Sequence, residues 1–233
     1  MSTYKELVYL VLDELKLHSD DALFTEDHII FLADKYRTFL LKQRYSDVKK
    51  QIPESNYQTI CLDLIEVPAM AGAPCELEYS SYLRSTIKIP HLMKIGAPII
   101  YPNDDYYRGT ITLVSRDRMR YVGYNKYLKN IIYASIAPDN YVYFKSSNTE
   151  SLKLKKVKLT GIFEDSYKVS ELQCSYETEN SSCDILDIDF PIETSLIPPL
   201  VELVVKELLG AEYRPEDSNN NAKDDLPELI SKK

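Results

Sequence analysis

Residues 57–68 read YQTICLDLIEVP, and in this stretch the apolar period of the chain changes from that of a helix to that of a strand. Ile60, Leu62 and Leu64 alternate with Thr59, Cys61 and Asp63, which places the apolar side chains on one face of a strand ending before Pro68. The residues before it are helical in pattern. Thr3-x-x-Glu6 has capping-box spacing, Leu7, Val8, Leu10, Val11, Leu12 and Leu15 follow at helical intervals, and residues 18–21 break the helix. Thr25, with Glu26 and Asp27, then reads as the capped start of a second helix carrying the stripe Ile29, Leu32, Ala33, Tyr36 and Leu40, with Lys42 and Arg44 near its C-terminal end. Residues 1–52 are therefore expected to form an antiparallel helical pair.

Downstream, residues 53–190 read as a mixed β-rich domain. Residues 70–74 have the character of a surface loop, and Ile87–Ile89 and Ile99–Tyr101 are short strand candidates bounded by Pro90, Pro98 and Pro102. Ile111–Val114 leads to Ser115, a cap for a short helix through Val122. Ile131–Ile136 and Tyr141–Lys145 flank Ala137-Pro138-Asp139-Asn140, whose Pro and Asx residues predict a hairpin, and Lys153–Phe163 reads as a further strand.

Residues 193–210, ETSLIPPLVELVVKELLG, are strongly apolar and predict a C-terminal helix within 191–210 that packs with the N-terminal helices and stops at Gly210. Pro198-Pro199 requires that this helix either begins late or kinks. Residues 211–233 are polar, with Glu216, Asp217, Asn219 to Asn221, Asp224 and Asp225, and lack the apolar surface to fold alone. After that spacer Leu226, Leu229 and Ile230 fall at i, i+3, i+4 beside Pro227, so the segment from Tyr213 and Arg214 onward reads as an extended arm for another subunit. The fold class is α+β: an N-terminal helix pair and a C-terminal helix flank a mixed β-rich domain, with an extended C-terminal arm.

At 233 residues and 44% hydrophobic, the chain holds a core of ordinary size. Its first residues mix Lys5, Glu6, Asp13 and Glu14 into the apolar run, which excludes a signal peptide or membrane span there and predicts synthesis in a cytosol-like compartment. Cys61, Cys75, Cys174 and Cys183 match no metal or redox spacing and read as reduced thiols.

The net charge of −8 is unevenly spread. Residues 164–193 hold nine acids against the single Lys168, while Arg108–Lys129 holds six basic residues against Asp117, and Lys153, Lys155, Lys156 and Lys158 form a second basic run. Opposed patches of this kind steer and register association between like subunits. The candidate interface residues are Arg116, Arg118, Arg120, Tyr121, Tyr124, Lys153 and Lys155 on the basic side, and Glu177, Asp184 and Asp187 on the acidic side.

Catalytic chemistry finds no foothold in the pattern. The three histidines, His18, His28 and His91, are too widely spaced for a metal pair, and six glycines leave no phosphate-cradling loop. No catalytic, cofactor-binding or metal-binding residue is assigned. Of the 19 tyrosines, nine between Tyr101 and Tyr143 overlap the first basic run. Basic residues interleaved with aromatics bind single-stranded nucleic acid by stacking and phosphate contact, so a binding module built on 108–129 is the alternative function. The acidic total and the fitness of tyrosine for strands and interfaces favour packing.

The opening Thr3-Tyr4-Lys5-Glu6-Leu7-Val8 through Phe24-Thr25-Glu26-Asp27-His28, the block Arg118 to Lys126, the stretch Thr160 to Asp165 and the close Val205 to Gly210 with Tyr213-Arg214-Pro215 resemble a virion structural protein of crAss-like bacteriophages. The layout is similar to that of the head-to-tail adaptor, or tail tubular ring, proteins of short-tailed phages. The resemblance implies a dodecameric ring below the portal, contacting the portal and further ring or tail proteins, with DNA passing through the lumen without sequence-specific binding. It also implies a place at the virion head–tail junction after synthesis in the bacterial host cytoplasm, with no cofactor and no membrane partner. A ring needs heterologous contacts, in which one face of each copy meets a different face of the next, so segregated charge and an arm have a common cause.

Overall fold

The computed structural model describes residues 2–18, 24–47, 50–68, 81–103, 110–119, 121–122, 126–128, 130–146, 148, 153–177 and 184–212. The chain opens with α1 (Tyr4–His18) and α2 (Glu26–Arg44). The capping box is formed: Glu6 N donates to Thr3 Oγ1 and Thr3 N to Glu6 Oε2, both at 3.2 Å. Tyr4 N donates to Ile188 O at 3.1 Å and Phe190 N to Ser2 O at 2.8 Å, which pins the start of α1 against residues 188–190. Thr25 departs from expectation, because its side chain makes no capping bond to α2 and only its carbonyl accepts, from His28 N and Ile29 N. Glu26 and Asp27 remain to offset the dipole of that first turn.

β1 (Gln58–Pro68), β2 (Ser81–Ser85), β3 (Ile99–Pro102), β4 (Thr110–Leu113), β5 (Ile131–Ile136), β6 (Val142–Lys145) and β7 (Lys156–Gly161) form one sheet in the order β3-β7-β1-β2-β6-β5-β4. Neighbours are antiparallel except β4 and β5, a parallel pair whose crossover carries the single-turn helix α3 (Arg116–Met119). β1 is eleven residues long and changes partner midway: Gln58–Asp63 pair with β7, Leu64–Pro68 with β2. The sheet curls until its edge strands β3 and β4 lie against each other, enclosing a core that includes Ile60, Leu62, Ile132, Phe144, Val157 and Leu159. Strand alternation sets that core, as β7 shows with Lys156 and Lys158 exposed and Val157 and Leu159 buried.

The predicted hairpin is β5–β6. Ala137 N donates to Tyr141 O at 3.0 Å, Asn140 N to Ala137 O at 2.9 Å, and Asn140 takes the left-handed conformation (φ 63°) that Asn tolerates. Other local expectations change. Ile87–Ile89 forms no strand; Ile89 N donates to Asn140 O, and its buried side chain joins the sheet core from an irregular segment. The helix after Ser115 ends at Met119 rather than Val122, and β7 begins at Lys156 rather than Lys153. β1 runs through Pro68, where the missing N–H falls on the last residue of the strand. Residues 70–74 lie outside the described residues.

α4 (Ser166–Glu177) was not foreseen and packs on β1, while α5 (Ile197–Glu212) follows the 3₁₀ turn Thr194–Leu196 and packs on both α1 and α2. α5 begins late, with Pro198 and Pro199 in its first turn, where a backbone N–H has no helical partner to lose. Gly210 does not end this helix, which continues to Glu212. One interior glycine weakens a helix by only about 1 kcal/mol. The arm residues Tyr213, Arg214, Leu226, Leu229 and Ile230 lie outside the described residues.

Leu7, Val11, Ile29, Leu41, Leu200 and Val204 bury themselves in a second core between α1, α2 and α5. A polar joint fastens the helices to the sheet. Asp34 Oδ2 accepts from Ser166 N (3.0 Å) and Tyr167 N (3.2 Å), Asp34 Oδ1 accepts from Ser166 Oγ, and Tyr4 Oη bonds the same hydroxyl at 2.7 Å. One turn along α2, the fully buried Arg37 donates to the carbonyls of Pro191 (2.7 Å), Phe163 (2.8 Å) and Asn56 (3.4 Å). Burial pushes the Asp34 carboxyl up and the Arg37 guanidinium down, and the opposite charge of each partner offsets part of the other's shift.

Candidate subunit interface

The β4–β5 crossover presents the basic candidates. α3 hangs on the Ser115 carbonyl, which accepts from Arg118 N (3.0 Å) and Met119 N (3.1 Å), and Met119 buries itself with Val67, Ala137 and Tyr143. With Met119 turned inward, Arg118 is exposed and Arg116 half-buried. Tyr121 follows at 81% exposure, and Tyr127, in the 3₁₀ turn Lys126–Leu128, stands at 82%. The structure thus brings Arg116, Arg118 and Tyr121 together on one crossover; Arg120 and Tyr124 lie outside the described residues. Lys153 and Lys155 are exposed on either side of the buried Leu154, ahead of β7, and the Lys155 carbonyl accepts from Leu64 N at 2.7 Å.

The acidic candidates lie on the helical side. Asp184 caps the 3₁₀ turn Ile185–Asp187, accepting from Leu186 N at 3.0 Å, and Asp187 approaches Lys5 Nζ at 3.7 Å. That turn packs on α1 and α4, and Glu177 closes α4. Acidic and basic candidates therefore occupy different parts of the fold, as a head-to-tail contact requires.

Much of the acidic run is used within the subunit, which its sequence did not reveal. Glu164 pairs with Lys42 at 3.0 Å, Asp165 caps α4 through Lys168 N (3.0 Å), and Glu193 holds Arg44 Nε and Tyr45 Oη, each at 2.8 Å. Across α2 and α5, Glu207 accepts from Lys35 Nζ at 2.7 Å and from Tyr36 Oη, an arrangement that holds its carboxyl below the usual range.

The helices expose surface that charge patterning could not flag. Phe31 and Phe39 on α2 are 66% and 54% exposed, and Tyr9 and Leu10 on α1 stand about half in solvent. Phe31 and Phe39 are eight residues apart on α2, which sets their directions about 80° apart around the helix axis. Leu10, placed in the apolar stripe by sequence, instead edges a groove between α1 and α5. Tyr101 and Ile99 add exposed apolar surface on the edge strand β3. The exposed pair on α2 was missed because a 3.6-residue period does not mark the face opposite the core, where isolated aromatics are common.

Among the described residues, no group of three His, Cys, Asp or Glu side chains can hold a metal ion, and no helix is long and apolar enough to cross a membrane. His28 and His91 are exposed.

Comparison with known proteins identifies the family. Residues 6–226 match the family model described as phage tail ring protein 2. The chain is 63% identical over 226 residues to ring protein 2 of Bacteroides phage crAss001, a match that spans 97% of this chain and 99% of that protein. The chain belongs to the phage tail ring protein 2 family, and is a structural component of the phage particle.

Proposed function

We propose that the protein is a non-enzymatic connector that closes into a dodecameric ring at the portal–tail junction and serves as a conduit for DNA during packaging and ejection. The near-full-length match to a ring protein carries this reading. Within the ring, the α3 crossover with Arg116, Arg118, Arg120, Tyr121 and Tyr124, together with Lys153 and Lys155, meets the acidic side of the adjacent copy at Glu177, Asp184 and Asp187. Opposite charge sets the register of that contact and exposed aromatics supply apolar area at its centre. The arm, through Tyr213, Arg214, Leu226, Leu229 and Ile230, docks on the portal or a neighbouring copy. The net charge of −8 suits a channel along which DNA slides, since a lumen that neutralised many phosphates would hold the DNA in place.

Imaging of the assembled particle tests the proposal: it requires a closed ring of this chain between portal and tail.

A second function is favoured by one observation, the exposure of Arg118, Tyr121 and Tyr127 on the β4–β5 crossover. Such tyrosines can stack unpaired bases. Binding of short single-stranded DNA by the purified subunit, weakening steeply with salt, would support this second role, and absence of binding at low salt would remove it.

A further inference from the structure

α5 carries more apolar surface than its core contact uses. Leu200, Val204 and Leu208 are buried against α1 and α2, yet Val201 and Leu209 on the outward side remain half-exposed. A helix apolar around most of its circumference is ordinarily covered on both sides. Here the outward side, with Leu10 of α1, forms the floor of an open groove: Leu10, Ile197, Val201, Val205 and Leu209 line it. Its rim is charged, with Glu14 and Glu202 acidic and Lys206 basic.

The chain's own C-terminal segment has matching chemistry. Leu226, Leu229 and Ile230 fall at i, i+3, i+4 and would share one face of a helical turn, Lys232 and Lys233 follow, and Glu228 lies between in sequence. Laid in the groove, the three apolar side chains would cover the floor, and the lysines and Glu228 would bring charges opposite to those of Glu14, Glu202 and Lys206 on its rim.

The length of the intervening chain says which copy it serves. A return onto the helix just left needs a connection of about 2–5 residues. The spacer between Glu212 and Leu226 is the thirteen residues 213–225 and spans up to about 50 Å when extended. A chain of this size has a radius of gyration of about 17 Å, so adjacent copies in a ring sit on the order of 40 Å apart. The spacer therefore suits a neighbour better than a return to its own helix.

We propose that residues 226–230 of each copy dock in the α1–α5 groove of an adjacent copy, strapping the ring together. This rests on the ring reading above and chooses the neighbour over the portal as the arm's partner.

The test uses full-length chains in which Cys61, Cys75, Cys174 and Cys183 are replaced by serine. A tagged Leu10→Cys chain is mixed with an untagged Leu229→Cys chain under mild oxidation, so that a tagged–untagged disulfide can form only between copies. The product should exceed that of a control pair, Tyr121→Cys with Leu229→Cys, by at least about tenfold, because docking raises the local thiol concentration. A Leu10→Cys/Leu229→Cys chain that closes on itself at high dilution, with no product between copies, would overturn the proposal in favour of self-docking. No disulfide in either format would overturn it in favour of another occupant. Leu10 is about half exposed and Leu229 lies in the arm, so neither change threatens folding. If particles show rings while the disulfide is absent, the strap alone fails; if particles show no ring of this chain, the reading beneath it fails.

Discussion

Asp34 on α2 closes the N-terminus of α4 from 132 residues away, its Oδ2 accepting from Ser166 N at 3.0 Å. With Arg37 reaching the carbonyls of Asn56, Phe163 and Pro191, this single turn of α2 gathers the segments that enter β1, leave β7 and approach α5. The joint makes the helical part and the curled sheet one unit, so a load applied to either is shared by both.

Asp34→Ala removes the α4 cap and leaves Arg37 as a buried charge without its opposite. The Ser166 N, Ser166 Oγ and Tyr167 N donors lose their acceptor, and each buried donor left unsatisfied costs about 1–3 kcal/mol. Urea unfolding should show a loss of that size, and a loss below about 1 kcal/mol, as for an ordinary exposed substitution, would contradict the joint's role.

The Lys42–Glu164 and Lys5–Asp187 pairs are exposed, and exposed pairs are worth at most about 1 kcal/mol. Lys42→Ala and Lys5→Ala should therefore leave subunit stability nearly unchanged. Raised salt should slow assembly more than it destabilises the subunit, because screening acts on encounter between charged faces. Equal salt sensitivity of unfolding and assembly would count against charge-registered contacts.

Lys145 on β6 is 9% exposed, and burial lowers its pKa from 10.5 to about 8. Between those values the unfolded chain binds more protons than the folded one, so this residue's contribution to stability rises with pH across that window. Lys145→Met, which carries no charge to bury, should gain most over the native chain below pH 8 and lose that advantage as pH rises toward 10. A difference that does not change between pH 7 and 10 would show that Lys145 is not desolvated.

Phe31 and Phe39 lie on the solvent side of α2, so Phe31→Ser/Phe39→Ser should shift unfolding by no more than about 1 kcal/mol. If this face is covered in the ring, the same variant should fail to join particles. Native incorporation would assign the α2 face to solvent.

Deleting residues 213–233 should leave thermal unfolding of the subunit unchanged, because both cores of the described residues precede the cut. Incorporation into particles should fall sharply. Wild-type incorporation would show that the globular faces alone build the ring.

The parts of the fold legible in sequence were those held by short-range chemistry. The Thr3–Glu6 box, the Pro138–Asn140 turn and the alternation at Ile60 and Leu62 each carry their signal within a few residues, and each appears in the structure. α4 was hidden because its start signal, Asp165, sits in an acidic run that reads as surface charge, and its apolar content is slight. Gly210 misleads because a glycine near a helix end suggests a cap, whereas α5 runs two residues beyond it to Glu212. Neither the Asp34–Ser166 joint nor the groove under Leu10 has a local signature, since each is made by residues that meet only when helices and sheet pack. For the candidate interface, charge segregation was visible, but the absorption of Glu164 and Glu193 by Lys42 and Arg44 was not, because it depends on where α2 lies.

The central claim is a closed ring of this chain at the head–tail junction, and an electron cryomicroscopy map of the intact particle tests it most directly. The account predicts a single continuous ring of identical copies between portal and tail. Each copy should bury more than about 2,000 Å² on its neighbours, the range of obligate assemblies, around an axial channel that holds DNA. A map that places the chain elsewhere in the particle, or as isolated copies touching through small wet patches, would contradict it.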